Sequence, residues 1–304
     1  MQHISLRMLR VFAAVARHLS VTAAARELHL TQPAVSMQVK ELERICGAPL
    51  FERLGRGIQL TEAGRELAAC AANVTESLRE TEERLDALRG LKKGLLKLGA
   101  VSTAKYFAPA LLAAFMASRP GVTVRFSVGN REETIRNLAE NEIDLAIMGR
   151  PPGGIETLAE PFARHPLIII AAPTHPLAGK RRLPLKKLAG ERFLIREEGS
   201  GTRASMERVF AQAKLAYQAS MEMSSNETIK QAVSAGMGIS FISKHTVGLE
   251  LRAGKLVALD VAGLPVMRDW FVIHLRAKKL SPIAAAFKQF LLTGGAAIIE
   301  RAAG

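Results

Sequence analysis

Thr31-Gln32-Pro33-Ala34-Val35-Ser36-Met37-Gln38-Val39-Lys40-Glu41-Leu42-Glu43 decides the fold of the first part of this chain. Val35, Val39, Leu42 and, just beyond, Cys46 fall on one face of a helix. Thr31 is placed to cap it. Pro33 falls in its first turn, where a missing N–H costs least. Upstream, Leu6, Leu9, Phe12, Val15 and Ala16 recur at helical spacing, and after a polar break comes an alanine-rich helical run over 22–28. Downstream, residues 50–60 read as two very short strands around Gly55-Arg56-Gly57. The order is helix, helix, turn, helix, wing.

In such an arrangement the helix after the turn lies in a DNA major groove with its first residues at base edges. Its non-core face carries Gln32, Ser36, Met37 and Lys40. Glutamine can bond adenine bidentately, serine reads several bases, and Met37 or Pro33 can meet a thymine methyl. Thr31 and Lys40 suit phosphate contacts, and Arg53 and Arg56 at the wing suit the backbone or a minor groove. From spacing alone, a small helical domain with an ordinary polar face remains the competing reading.

Residues 61–93 form a second zone without proline. Leu67, Ala71, Val74, Leu78, Thr81, Leu85 and Leu88 step by alternating fours and threes, the spacing of a coiled-coil seam. A helix of about 28 residues would run roughly 42 Å. A narrow stripe on a long polar helix needs a partner helix, so dimerisation through Leu67, Ala71, Val74, Leu78, Leu85 and Leu88 is expected, with packing on its own domain as the alternative. Gly90 and Gly94 around Lys92-Lys93 make a hinge.

Residues 94–304 alternate strand-like and helix-like runs. Strands are expected near 95–101, 122–128, 145–148, 167–172, 193–195, 239–242 and 270–274. Helices are expected near 109–118, 131–140, 203–213, 227–235 and 282–292, with Ser224-x-x-Glu227 opening the fourth as a capping box. This predicts an α/β fold with largely parallel sheets.

The 304 residues carry 42 Lys+Arg against 28 Asp+Glu, a net +14, which asks for an anionic partner. Residues 1–60 hold only +4 of this and residues 61–93 hold −1, leaving +11 beyond residue 93. An anion site in the C-terminal part is therefore expected. No leader-like segment and no run of about 18 apolar residues is seen, so a cytoplasmic protein without a membrane partner is predicted. Cys46 and Cys70 suggest neither disulfide nor metal site. The seven histidines are scattered and no nucleophile elbow is present, so an enzyme is not expected. A solute-binding protein would lack residues 1–90.

Residues 23–43, Ala-Ala-Ala-Arg-Glu-Leu-His-Leu-Thr-Gln-Pro-Ala-Val-Ser-Met-Gln-Val-Lys-Glu-Leu-Glu, followed by Leu50-Phe51-Glu52-Arg53 and Leu60-Thr61-Glu62-Ala63-Gly64, closely resemble the N-terminal signature of LysR-type transcriptional regulators. That resemblance implies a multidomain chain. Residues 1–60 would be a mainly α winged helix-turn-helix and 61–93 a linker helix. Residues 94–304 would be a two-lobed α/β effector domain of periplasmic-binding-protein type, with lobe I about 94–163 and 269–304 and lobe II about 164–268. It also implies a dimer of dimers on promoter DNA, contact with RNA polymerase, activation, no cofactor, and a small-molecule effector in the cleft between lobes.

In that fold, strand ends and helix N-termini supply anion-binding groups. The candidates are Ser102, Thr103, Lys105, Asn130, Arg131, Arg150, Ser200, Gly201, Thr202, Asn226 and Glu227. Plain caps, loops and solvated arginines are the competing readings. Val101-Ser102-Thr103-Ala104-Lys105-Tyr106-Phe107, Gly129-Asn130-Arg131-Glu132 and Ile147-Met148-Gly149-Arg150-Pro151-Pro152 further resemble the CbbR group, regulators of Calvin-cycle operons. This implies phosphorylated sugars, phosphorylated organic acids or nucleotides as effectors, while the donor groups themselves suit a phosphate or a carboxylate; an aromatic-ring metabolite is the competitor.

Overall fold

A computed structural model describes residues 4–54, 57–88 and 93–303; Arg56, Gly90 and Lys92 of the wing and hinge lie outside the described residues, as does the Leu88 side chain. Two compact units are formed, Met1–Glu82 and Glu83–Gly304.

The first unit contains α1 (Leu6–His18), α2 (Val21–Glu27), α3 (Gln32–Cys46), the hairpin β1 (Phe51–Leu54) and β2 (Gly57–Leu60), and most of α4 (Glu62–Leu88). Each of the first three helices starts on a hydroxyl that accepts a backbone N–H: Ser5 from Met8, Ser20 from Ala23 and Thr31 from Ala34. Such caps contribute about 1 kcal/mol each. Val11, Val15, Ala24, Ala25, Val35 and Val39 pack the three helices together. Leu9, Phe12, Leu42, Leu50, Leu67 and Ala71 form a second core with Val74 against its edge. Full burial of a side chain such as Phe12 or Leu42 stabilises the unit by roughly 1.5–3 kcal/mol.

This second core corrects part of the coiled-coil expectation. Leu67 and Ala71 are buried within their own unit, and Val74 leans on the same core, so these three serve domain packing. Leu78 and Leu85 remain 40% and 50% exposed. The start of α4 is pinned by Gly64, where a Cβ would stand 2.1 Å from the Leu50 carbonyl oxygen. Only glycine allows that approach.

The second unit runs β3 (Lys93–Val101), α5 (Ala108–Ala117), β4 (Gly121–Gly129), α6 (Arg131–Ala139), β5 (Leu145–Met148), β6 (Thr157–Ala171), β7 (Arg192–Arg196), α7 (Gly201–Gln212), β8 (Gln218–Met223), α8 (Asn226–Ser234), β9 (Ser240–Ser243), α9 (Gly248–Arg252), β10 (Val257–Ala258), β11 (Val266–Leu275), α10 (Pro282–Phe290) and α11 (Ala296–Ala303). The main sheet has the order β10-β6-β11-β5-β3-β4, with β9 also on β6. β3 is parallel to β4 and β5, as the alternating pattern predicts. The rest is not: β11 runs antiparallel to both β5 and β6. The sheet is therefore mixed.

Two strands, β6 and β11, pass through both halves of this unit. Along β6, residues 157–167 pair with β11, and residues 167–171 pair with β9 and β10. A register shift at Trp270/Phe271 leaves Phe162 as the extra residue of a bulge. On one side of the crossover, Leu98, Phe107, Phe115, Trp270 and Phe287 form the core under α5, α10 and α11. On the other, Leu167, Ile169 and Ala171 face one core while Ile168 and Ile170 face another, the period of two expected of a strand covered on both faces. Pro282–Ala302 is the one stretch among the described residues long and apolar enough to cross a membrane. Its Ile283, Ala284, Phe287, Leu291 and Ile299 are buried in the sheet core, which accounts for its apolar character.

Ser225, not Ser224, caps α8: its hydroxyl accepts from Thr228 N, so the expected Ser224–Glu227 box is not formed. A full capping box instead opens α6, between Asn130 and Glu133.

Candidate functional site

In the first unit, α3 presents the face expected to read DNA. Thr31, Gln32, Pro33, Met37 and Lys40 are exposed and Ser36 is half-buried, while Val35, Val39 and Leu42 point into the cores. Met37 is 67% exposed. Arg53 is exposed on β1. Beside this face, Glu41 accepts two hydrogen bonds from Arg44. Glu27 of α2 accepts from Arg17 and pairs with His18 at the end of α1. Its carboxyl lies below the usual range because His18 and then Arg17 hydrogen-bond to it.

In the second unit, strand ends and helix starts close around a pocket with about 510 Å³ of open space, part of it continuous with solvent. Val101, Ser102 and Thr103 come from the end of β3, Asn130 and Arg131 from the start of α6, and Gly149 and Arg150 from beyond β5. His165 and Leu167 come from β6, Arg196 and Glu197 from β7, and Arg268 from β11. Ser200, Gly201 and Thr202 open α7. Ser200 makes no side-chain capping bond, so the hydroxyl and the first N–H groups of α7 are free to receive an anion.

Three of the four arginines are fixed in place. Arg196 is 4% exposed and donates to Ser102, to Asn226 Oδ1 at 2.6 Å and to both oxygens of Glu197. Arg131 donates to the carbonyls of Arg150 and Pro151. Arg268 donates to the Gly149 carbonyl at 2.9 Å and to Ser205 Oγ at 2.5 Å, joining the end of β5 to α7. Burial, then the nearby Arg150, holds the pKa of both Arg131 and Arg268 below that of a free guanidinium. Glu197 is the one carboxylate among the residues that line the pocket, so its four guanidinium groups give it a positive field. An anion of higher charge would be favoured there.

The pocket floor is aromatic. His165 lies opposite Arg268 across β6 and β11 and stacks on Trp270 with ring centroids 3.9 Å apart. Trp270 Nε1 donates to His245 Nδ1 at 3.0 Å. Burial pushes His165 down to about 3, with His245 and Arg268 adding to the effect, so it is neutral at pH 7. Burial likewise lowers His245 to about 4. Gly149 covers the ring so closely that a Cβ would stand 3.0 Å from His165 Nδ1.

Of the candidates read from sequence, Ser102, Thr103, Asn130, Arg131, Arg150, Ser200, Gly201 and Thr202 come together in this pocket. Three do not line it. Asn226 is 2% exposed and engaged with Arg196 behind the wall. Glu227 accepts from Tyr106 Oη at 2.6 Å and pairs with Lys230. Lys105 lies over the Tyr106 ring at 5.1 Å. Arg196, Glu197, His165, Leu167 and Arg268 line the pocket and were missed. Arg196 had a usable signal, since it ends a strand just before Gly199-Ser200-Gly201. Arg268 and His165 had none, because their place depends on how β6 pairs with β11.

Residues 6–65 match the bacterial regulatory helix-turn-helix protein, lysR family, and residues 89–296 match the LysR substrate binding domain. A RuBisCO operon transcriptional regulator of Allochromatium vinosum is 50% identical over 294 residues, 97% of each chain. The CbbR regulator of Rhodospirillum rubrum is 49% identical over 286 residues, 94% of this chain and 95% of that one. The regulatory domain of CcmR from Synechocystis PCC6803, solved in complex with 2-PG, is 40% identical with a TM-score of 0.64. It covers 66% of this chain and 96% of that chain. The chain thus belongs to the LysR family of DNA-binding transcription regulators and is similar to its CbbR and RuBisCO-operon members.

Proposed function

We propose that this regulator senses a small phosphorylated acid in the pocket of its second unit and reads promoter DNA with the exposed face of α3. The pocket carries this reading: four arginines and an uncapped helix N-terminus around one carboxylate suit a compact multivalent anion. The likeness to a regulatory domain solved with 2-PG supports 2-phosphoglycolate as the ligand to try first. Ser102, Thr103, Asn130, Arg131, Arg150, Ser200, Gly201, Thr202, Arg196 and Arg268 would hold it. Asn226 and Glu227 would act from behind the wall. Calorimetric titration of the full chain with 2-phosphoglycolate, with an aromatic carboxylate in parallel, tests this. Binding of the aromatic acid alone would overturn it in favour of an aromatic-metabolite sensor.

Gln32, Pro33, Ser36 and Met37 would read bases, with Thr31, Lys40, Arg53 and Arg56 on phosphates. Residues 1–60, 61–93 and 94–304 would act as reading head, pairing linker and sensor, the last in two lobes of about 94–163 with 269–304 and 164–268. Leu78 and Leu85, with Leu88, would pair α4 with a second copy. Two such dimers would form a cytoplasmic tetramer that bends the promoter and meets RNA polymerase there. Ligand closure of the pocket would change the spacing of the reading heads. Bend angles measured by gel mobility with and without ligand check this step; an unchanged angle at saturating ligand would sink it.

A further inference from the structure

His165 is more than 90% buried against the pocket, yet neither of its ring nitrogens has a hydrogen-bond partner. Buried polar atoms are nearly always satisfied, so each exception asks for a cause. The ring cannot turn away to find one. It is stacked on Trp270 at 3.9 Å, with His245 at 6.1 Å and Gly149 crowding Nδ1. Nor do the neighbouring polar groups answer it. The Trp270 N–H goes to His245, and the Arg268 guanidinium goes to Gly149, Gly201 and Ser205. The ring itself lines the pocket, where a bound effector would be its next neighbour.

We propose that His165 hydrogen-bonds the bound effector as a neutral imidazole, its ring N–H donating to an anionic oxygen of the phosphorylated acid. This rests on the pocket being the effector site. The surroundings fix the form of the ring: its burial, then His245 after β9 and Arg268 on β11, disfavour a positive charge on it. The low pKa of His165 agrees with that arrangement. A neutral donor differs from the arginines in one useful respect. Guanidinium groups attract any anion from a distance, whereas an imidazole on a rigid aromatic stack bonds only an oxygen placed within its reach. His165 is thereby a specificity residue, sorting anions by shape where the arginines sort them by charge.

The test uses the full-length protein and 2-phosphoglycolate. His165→Phe keeps the ring stack and removes both nitrogens, and the expected result is affinity about 10- to 100-fold weaker. His165→Gln, which restores an N–H donor, is expected to recover part of that loss. Equal affinity in wild type and His165→Phe overturns the inference. Imidazole nitrogen NMR on the wild type, with the His165 signal identified by its loss in His165→Gln, gives a readout that needs no variant to bind. One His165 nitrogen is expected to shift on saturation while the ring stays neutral; no shift, or a fully protonated ring, overturns the inference. If wild type binds no phosphorylated acid, the effector class itself falls and this inference falls with it. Binding by wild type with an indifferent His165 removes this inference alone.

Discussion

The two surfaces proposed to meet DNA and effector are built on opposite plans. The reading face of α3 leaves Gln32, Met37 and Lys40 in solvent, with no hydrogen bonds or ion pairs of their own among the described residues. The pocket does the reverse, tying Arg131, Arg196 and Arg268 to carbonyls, hydroxyls and a carboxylate before any ligand arrives. DNA brings its own rigid, repeating frame, so the side chains that meet it can settle on contact. A small metabolite brings no frame. The protein must hold the geometry itself.

The sharpest way to break that contrast is at Arg196. Arg196→Ala would strip the partners of Asn226 and Glu227 and release Ser102, costing about 3–5 kcal/mol, the scale for breaking a buried pair. Ligand binding should vanish and the melting temperature of the second unit should fall, which scanning calorimetry resolves. A variant that melts like wild type would show that the pocket is not pre-built.

The buried histidines extend the contrast to acid. His165 and His245 titrate near 6.5 when unfolded but only near 3 and 4 when folded. Below pH 6.5 the unfolded chain therefore binds more protons. Stability is complete above pH 6.5 and declines as pH falls toward 4, by up to about 1.4 kcal/mol per pH unit for each group. Denaturant melts of wild type and His165→Phe between pH 7 and 4.5 should show a shallower slope in the variant. Parallel slopes would remove His165 from the acid response.

On the reading face effects are smaller and of another kind. Gln32→Ala is expected to relax preference at one base position by about 1–3 kcal/mol without altering stability, as binding to a panel of operator variants would show. Arg53→Ala should weaken all sequences alike and reduce the slope of log affinity against log salt by about 0.9. A change confined to sequence preference would move Arg53 from the phosphate backbone to the bases.

The same contrast governs what could be read from the sequence. The positions that face outward on α3 follow from a period of 3.6 once Val35, Val39 and Leu42 are seen to face inward. The pocket draws on segments from Val101 to Arg268, and only those beside glycines or at clear strand ends stood out. β6 hid His165 because Pro161 and Pro166 break any strand-like run. The fold tolerates them because β9 and β10 pair only with residues 167–171, leaving the other edge of the earlier stretch unpaired. β8 was invisible for a different reason: Gln218–Met223 lies along the surface and has no buried face to impose alternation. The seam of α4 was legible as a pattern but not as a destination, since the same spacing serves the unit's own core at Leu67 and Ala71 and stays exposed at Leu78 and Leu85.

β6 and β11 are the strands common to both halves of the second unit, and they carry His165 and Arg268 side by side. The surface a ligand would rest on is thus the strap by which one half is slung from the other. A ligand pressing on that strap would move the halves directly, with no relay of residues between the binding event and the swing.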